Sequence, residues 1–182
     1  MQLITEKSQL KGIVAIPGSK SHTIRAVAMA SLADGDSRIE APLDSADTRS
    51  AVTCYRALGA QIECNDSCWT IKGFAGIPSA PDNIIDVGNS GTTLRFALGS
   101  ASLLRAGGAA IFTGDAQIRS RPVGPLLDSL TDLGAKAWSA RRNGKIPAVV
   151  QGELVGGETT IAAVTSQYLS SLLFNTPLAP TD

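Results

Sequence analysis

Aromatic residues are scarce in this sequence, at 4%, so few rings are available on which nucleobases could stack. Histidine occurs once, as His22, and cysteine three times, as Cys54, Cys64 and Cys68. With no second cysteine pair and no further histidine, Cys64 and Cys68 do not amount to a zinc site. An odd, low cysteine count points to reduced thiols and a cytoplasmic setting. There is no excess of charge of either sign, with 16 basic and 16 acidic residues. Such a balance disfavours nonspecific nucleic-acid or membrane-surface binding, so any anion site must be local. No apolar run reaches bilayer-spanning length, and Met1 to Lys7 has no secretory apolar core. Glycine, by contrast, is plentiful at 18 residues, and 43% of the chain is apolar. A chain of 182 residues suits one sizeable domain or two small ones.

The most informative stretch is Pro17-Gly18-Ser19-Lys20-Ser21-His22-Thr23-Ile24-Arg25. The alternating segment Gly12 to Ile16 leads into a Pro-Gly turn, and a small-residue run from Ala26 to Ala33 follows it. The pattern predicts strand, tight turn and helix, with Ser19 and Ser21 as candidate N-caps. The first N–H groups of a helix lack internal partners and sit at the positive end of its dipole, so such a turn is a floor for phosphate or carboxylate. Lys20 and Arg25 add charge to it. This is not a P-loop, because a serine separates Gly18 from Lys20 and no glycine stands at the required earlier position. Read alone, the stretch is equally an ordinary capped helix with two solvent-facing cations.

The chain then repeats the device. Short strands are expected at 2–5 and 12–16, a helix from Ser21 to Leu32, a strand at Ser37–Glu40, a helix through Leu58, and a hairpin of Ala60–Glu63 with Trp69–Lys72. The second pass has a strand at Ile84–Val87 and the turn Gly88-Asn89-Ser90-Gly91-Thr92-Thr93. A helix from Leu94 to Leu104, a strand at Ala109–Thr113 and a helix from Pro122 to Leu133 follow, the last with Pro122 in its first turn. A hairpin of Ala135–Trp138 with Ala148–Gln151 closes it. Gly18 and Gly88, and Arg25 and Arg95, share an offset of 70 residues, and Leu58-Gly59-Ala60 recurs as Leu133-Gly134-Ala135. A third pass opens with Thr159-Thr160-Ile161, turns at Val164-Thr165-Ser166-Gln167 and enters an apolar run from Tyr168 to Phe174. A period of this size marks repeated structural units, here strand, helix, strand, helix, strand, strand. Two complete units and the start of a third are expected, which makes the chain a fragment on this reading.

Three turns therefore offer polar groups of one kind. Lys20, Ser21 and Arg25 stand at the first, Asn89, Ser90, Gly91 and Thr92 at the second, and Thr165, Ser166 and Gln167 at the third. Gly91 permits close backbone approach to a ligand. Arg119-Ser120-Arg121-Pro122 can add a planar cation suited to carboxylate or phosphate. Arg95 reads as a buried structural cation or a ligand, His22 as a turn residue, and Arg49 as an ion-pair partner of Asp47 at a helix start.

Four blocks together resemble the 5-enolpyruvylshikimate-3-phosphate synthase family. They are Pro17-Gly18-Ser19-Lys20-Ser21 with Arg25-Ala26, Gly88 to Thr93 with Arg95, Gly114-Asp115 with Arg121-Pro122, and Ser166-Gln167-Tyr168-Leu169. They match in order and spacing and extend the resemblance over residues 12–182. The resemblance implies an α/β (α+β) class, an inside-out barrel-like domain of βαβαββ units about a pseudo-threefold axis. The units would span about 16–82, 83–156 and 157–182, the last truncated. Residues 1–15 would be strands of the other, C-terminal domain, and 16–182 the N-terminal enolpyruvyl transferase domain. The implied reaction moves the enolpyruvyl group of phosphoenolpyruvate to the 5-hydroxyl of shikimate 3-phosphate, by addition and then elimination, with no metal or organic cofactor. By motif position, Lys20 is the catalytic residue and touches both substrates. Ser21, Arg25, Thr165, Ser166 and Gln167 bind shikimate 3-phosphate. Asn89, Gly91, Thr92, Arg121 and Gln167 line the phosphoenolpyruvate side. The implied partners are these two substrates and the missing second domain, with no nucleic acid and no membrane. That domain carries most of the proton-transfer groups, so the chain alone is expected to turn over negligibly. Thr165 stands where many members have serine, and Phe96 where many have proline. The sister UDP-N-acetylglucosamine enolpyruvyl transferases typically have Gly-Ser-Lys-Asn-Ala at the first turn and a loop cysteine. Here that turn reads Gly-Ser-Lys-Ser-His, and Ala116 to Ser120 has no cysteine. A stand-alone anion-binding module is the remaining alternative.

Overall fold

A computed structural model describes residues 3–9, 11–105, 107–162 and 164–181. Among them, five α-helices and seven strands alternate along the chain. The first half contains α1 (Lys20–Leu32), β1 (Asp36–Glu40), α2 (Ala46–Ala57), β2 (Gln61–Cys64) and β3 (Cys68–Lys72). The second half contains β4 (Ile85–Asp86), α3 (Gly91–Ala101), β5 (Ala109–Thr113), α4 (Gly124–Asp132), β6 (Lys136–Ser139) and β7 (Ala148–Gln151). α5 (Ser166–Asn175) follows, and a short 3-10 turn at Ile118–Ser120 precedes α4. The mixed helix and strand class is as expected.

Local chemistry explains the element starts and stops. Ser19, Ser90 and Thr165 cap α1, α3 and α5, each side chain accepting a first-turn N–H. Ser45 and Thr48 form a reciprocal capping box at α2. α2 and α4 both run out into a glycine of positive φ, Gly59 (106°) and Gly134 (102°), the left-handed turn that glycine adopts without a Cβ penalty. α2 buries Ala51, Val52, Cys54 and Tyr55, an i, i+3/i+4 stripe, and is otherwise largely exposed. α3 is buried almost all round and packs against α1, α2, α4 and α5. Its small residues permit that. A Cβ on Gly99 would lie 2.3 Å from Ser171 Oγ and 2.6 Å from Asn175 Nδ2 on α5.

Two sheets lean on these helices. The first has the order β1-β3-β2, all antiparallel; the second has the order β4-β5-β7-β6, with β4 parallel to β5. Burial alternates along β3, β5 and β7, so each sheet has one face on helices and one toward solvent. Each sheet ends in a tightly packed glycine. Gly73 follows β3 and donates to Gly35 O (3.0 Å), and Gly152 follows β7 and donates to Gly108 O (3.2 Å). A Cβ would lie 2.1 Å from Ala33 O at Gly73 and 1.7 Å from Leu104 O at Gly152.

Several expectations need correction. Residues 3–5 and 12–16 form no strand, and residues 1, 2 and 10 lie outside the described residues. Ile13, Val14 and Ile16 are exposed, and among the described residues no strand pairs with them, so their alternation has nothing there to lie against. In the second sheet the corresponding place, beside β5, is filled by β4. Thr159–Ile161 is likewise not a strand. α3 starts at Gly91, three residues before the expected start, because Ser90 caps it. Pro122 precedes α4 and bridges to Lys145, and Pro125 occupies the first turn. Arg25 and Arg95 are not equivalent. Counted from the caps Ser19 and Ser90, Arg25 is the sixth helical residue and Arg95 the fifth.

Candidate anion-binding site

At the opening of α1, the Lys20 ammonium lies 2.7 Å from Asp47 Oδ2 in the first turn of α2. Arg49, which the sequence pairs with Asp47, instead forms a two-point pair with Asp44 and lies over the Trp69 ring, 5.4 Å from its centroid. Asp44 is five residues before Arg49 and meets the guanidinium edge-on, a geometry that Asp47, turned toward α1, does not offer. That pair holds the Asp44 carboxyl below its ordinary value.

One turn along α1, Arg25 Nη1 donates to Ser21 Oγ (2.5 Å) and Nη2 to Ser170 Oγ on α5 (3.4 Å). Its guanidinium sits 5.2 Å from the Phe96 ring centroid, and Phe96 meets Phe174 edge-on at 5.2 Å. Phe96 thus packs α3 against both α1 and α5, which accounts for an aromatic ring at that position.

The opening of α3 connects to its neighbours on both sides. Thr93 Oγ1 donates to the Asp47 carbonyl (3.4 Å). Gln167 Nε2 of α5 donates to Thr92 Oγ1 (2.9 Å). Lys20–Asp47, Asp47–Thr93, Thr92–Gln167 and Ser170–Arg25 therefore close a circuit through the starts of α1, α2, α3 and α5.

Arg95 lies beneath this circuit, 7% exposed. Nη1 donates to Gly91 O (2.9 Å) and Gln167 Oε1 (3.0 Å), and Nη2 to Pro122 O (3.4 Å). The guanidinium stacks over Tyr168, whose hydroxyl donates to the same Pro122 carbonyl at 2.8 Å. It is a structural brace that fixes the Gly91 turn, Gln167 and the Arg121-Pro122 segment relative to one another. Arg121 itself is exposed. A Cβ on Gly91 would lie 3.2 Å from Arg121 Nη1 and 2.8 Å from Arg95 Nη1, so glycine keeps open the space between backbone and cations.

Thr165 accepts the Gln167 N–H (3.3 Å) as the cap of α5, and Ser166 opens that helix exposed to solvent. Asn89 is less closely joined to this group. Its Nδ2 donates to Asp115 Oδ2 and Gln117 Oε1, both at 2.6 Å, which fastens the second turn to the 3-10 segment. Arg119 donates to Gly114 O, and so supports the same segment from behind. His22 is exposed. Among the described residues no group of three or more His, Cys, Asp or Glu side chains could hold a metal ion.

Asp47, Ser170 and Asp115 are members of this surface that sequence reasoning did not assign. The signal for Asp47 was an acid in the first turn of a helix whose cap lies beside the Lys20 turn. Asp115 accepts the Ile118 N–H (2.8 Å) as well as the Asn89 amide. The Ile118 N–H, followed by Asn89, Gln117 and Arg119, holds its carboxyl below the ordinary 3.8. A depressed folded value means that this contribution is complete at neutral pH and is lost only as pH falls through the folded value. A carbon-13 titration of Asp115 is expected to give a midpoint below 3.8, rising toward it in Asn89→Ala. An unshifted midpoint in the parent chain would contradict the network.

The arrangement is an open, positively lined surface where four helix starts meet. It can hold a small polyanion by several charge-assisted bonds at once, each worth about 1.5–3 kcal/mol.

Residues 4–182 match the family model for EPSP synthase (3-phosphoshikimate 1-carboxyvinyltransferase). The 3-phosphoshikimate 1-carboxyvinyltransferase of Acetivibrio thermocellus is 56% identical over 182 residues, covering 100% of this chain and 43% of that protein. The enzyme of the same name from Ruminiclostridium cellulolyticum is 47% identical over 182 residues, with the same coverage of 100% and 43%. The structure of EPSP synthase from Acinetobacter baumannii superposes with a TM-score of 0.83 at 26% identity, over 92% of this chain and 38% of that one. The chain therefore spans less than half the length of the relatives it matches.

Proposed function

The chain belongs to the EPSP synthase family, and on that premise we propose that it supplies the shikimate 3-phosphate half-site of a 3-phosphoshikimate 1-carboxyvinyltransferase. The observation that carries the reading is the circuit that joins Lys20, Arg25, Thr92 and Gln167 across four helix starts. Ser21, Arg25, Thr165, Ser166 and Gln167 hold shikimate 3-phosphate. Asn89, Gly91, Thr92, Arg121 and Gln167 form one wall for phosphoenolpyruvate, and Lys20 stands between the two ligands. The 5-hydroxyl of shikimate 3-phosphate adds across the C2=C3 double bond of phosphoenolpyruvate. Its oxygen bonds to C2 as C3 takes up a proton and the hydroxyl gives up its own. The bond from C2 to the phosphate oxygen then breaks as C3 loses a proton, which restores the double bond and releases phosphate. Fixed cations and helix N–H groups stabilise the charge as it moves, without reorganising. Neutralising both anions also permits their close approach.

Residues 16–182 act as the N-terminal enolpyruvyl transferase domain, with units at 16–82, 83–156 and 157–182 about a pseudo-threefold axis. Residues 1–15 pair with a second domain, a reading supported by the exposure of Leu3, Ile4, Ile13 and Val14. That domain supplies the proton-transfer groups, so this chain alone turns over negligibly. The setting on this reading is cytoplasmic, supported by Cys54, Cys64 and Cys68, all free thiols. Separately, among the described residues no helix is long and apolar enough to cross a membrane.

Calorimetric titration of the chain with shikimate 3-phosphate tests the reading. Binding is expected to be selective over inorganic phosphate, and to weaken by about 10- to 100-fold in Lys20→Ala or Arg25→Ala, one charge-assisted bond each. Equal, weak binding of both ligands by the parent and the variants would leave only a generic anion surface.

A further inference from the structure

Asp47 is built into the site more firmly than a surface acid requires. It is the second residue of α2, where the helix dipole favours a carboxylate. The Ser45–Thr48 capping box fixes the turn, and the Asp47 carbonyl accepts from Thr93. Arg49, the nearby alternative cation, is committed to Asp44. The carboxylate is 26% exposed and reaches Lys20 Nζ at 2.7 Å, while the lysine is 54% exposed. The ammonium that serves both ligands on the reading above is therefore engaged by an acceptor of the same chemistry as those ligands.

Resting on that reading, we propose that Asp47 is a positioning residue and an internal counter-ion. It occupies Lys20 in the ligand-free chain and yields it to an incoming phosphate or carboxylate. A pair this exposed is weak, so a multiply charged ligand that also engages Arg25 and the start of α5 displaces it readily. A small anion that can reach only Lys20 must compete with a carboxylate already held at an ideal distance. Asp47 thereby lowers the affinity of every anion that needs Lys20 by the same factor, which leaves weakly held simple anions unbound while a ligand with further contacts remains. It also keeps the lysine at the circuit.

The test compares the 182-residue chain with Asp47→Asn, Asp47→Glu, Lys20→Met and the Lys20→Met/Asp47→Asn double variant. Each is titrated at low salt with shikimate 3-phosphate and, separately, with inorganic phosphate. Asp47→Asn is expected to bind each probe about fivefold more tightly than the parent, the scale of an exposed ion pair. Asp47→Glu, which keeps the charge, stays within about twofold of the parent. In the Lys20→Met background the gain from Asp47→Asn disappears, and in about 0.5 M salt it shrinks because screening has already weakened the pair. The proposal is overturned by unchanged, weaker or undetectable binding of both probes in Asp47→Asn, or by a gain that persists without Lys20. A parent chain with no preference for shikimate 3-phosphate would refute the functional reading instead, and the inorganic phosphate arm still decides the counter-ion.

Discussion

Gly152→Ala is expected to be strongly destabilising, lowering the unfolding free energy by about 3–5 kcal/mol. The new Cβ would lie 1.7 Å from the Leu104 carbonyl oxygen and 2.6 Å from its carbon. Both are backbone atoms, so no rotamer change relieves the overlap. The end of β7 must separate from the turn that follows α3, which breaks the Gly152 N–H to Gly108 O bond and the Leu154 N–H to Ser102 O bond (2.7 Å). For a chain of this size the loss corresponds to a fall in melting temperature of roughly 6–20 °C. Gly73→Ala is expected to act in the same direction, because its Cβ would meet Ala33 O at 2.1 Å at the equivalent place in the first sheet. Thermal denaturation followed by circular dichroism measures both. A midpoint within about 2 °C of the parent for Gly152→Ala would show that the sheet–helix junction is looser than this packing requires.

Gly99→Ala is expected to lower both stability and ligand affinity, although residue 99 is roughly 12 Å along α3 from the start of that helix. Its Cβ would overlap Ser171 Oγ and Asn175 Nδ2, and Ser171 Oγ is already committed to the Arg95 carbonyl at 2.7 Å. Overpacking a buried helix contact costs about 1–3 kcal/mol. The helix that must give way is α5, which carries Gln167 and Ser170 into the circuit. Displacing it loosens the Gln167 bonds to Thr92 and Arg95, and on the proposed function shikimate 3-phosphate affinity is expected to fall about tenfold, the equivalent of one lost hydrogen bond. Removing the obstructing hydroxyl in Gly99→Ala/Ser171→Ala should recover part of the stability relative to Ser171→Ala alone. Calorimetry and thermal melts on the three variants provide the check. An unaltered affinity in Gly99→Ala would mean that α5 does not set the geometry of the binding surface.

Both substitutions act at glycines that the sequence did not single out, for a physical reason. A glycine carries no side-chain pattern, so a close backbone approach becomes visible only when the approaching backbone is in place. The Ser19 cap and the hairpins were legible because their causes are local. Ser19 acts on an N–H three residues on, and β2–β3 and β6–β7 pair across short connections, whereas the Ser90 cap was hidden because the apolar run begins only at Leu94. The strand expected at 12–16 failed because alternation describes what a strand offers, not whether another strand is there to accept it. The offset shared by Arg25 and Arg95 was misleading, because the two turns differ by one residue and one residue rotates a helical side chain by about 100°. The candidate residues of the three turns were legible as anion-binding types. Their connection through Asp47, Ser170 and Arg95 was not, because those contacts join residues distant in the chain. The partner of Lys20 was masked by Arg49, two positions from Asp47 and an equally plausible mate on charge alone.

The links that close the circuit join residues 75 positions apart for Thr92 with Gln167 and 145 positions apart for Arg25 with Ser170. Bringing such distant segments together belongs to the slow, entropy-limited end of folding. During synthesis, α1 to α4 leave the ribosome well before α5 can join them. On the proposed function, the shikimate 3-phosphate surface is consequently incomplete until α5 docks, and that ligand cannot template the earlier steps. Ligand present during refolding should therefore slow unfolding and leave the rate of formation unchanged.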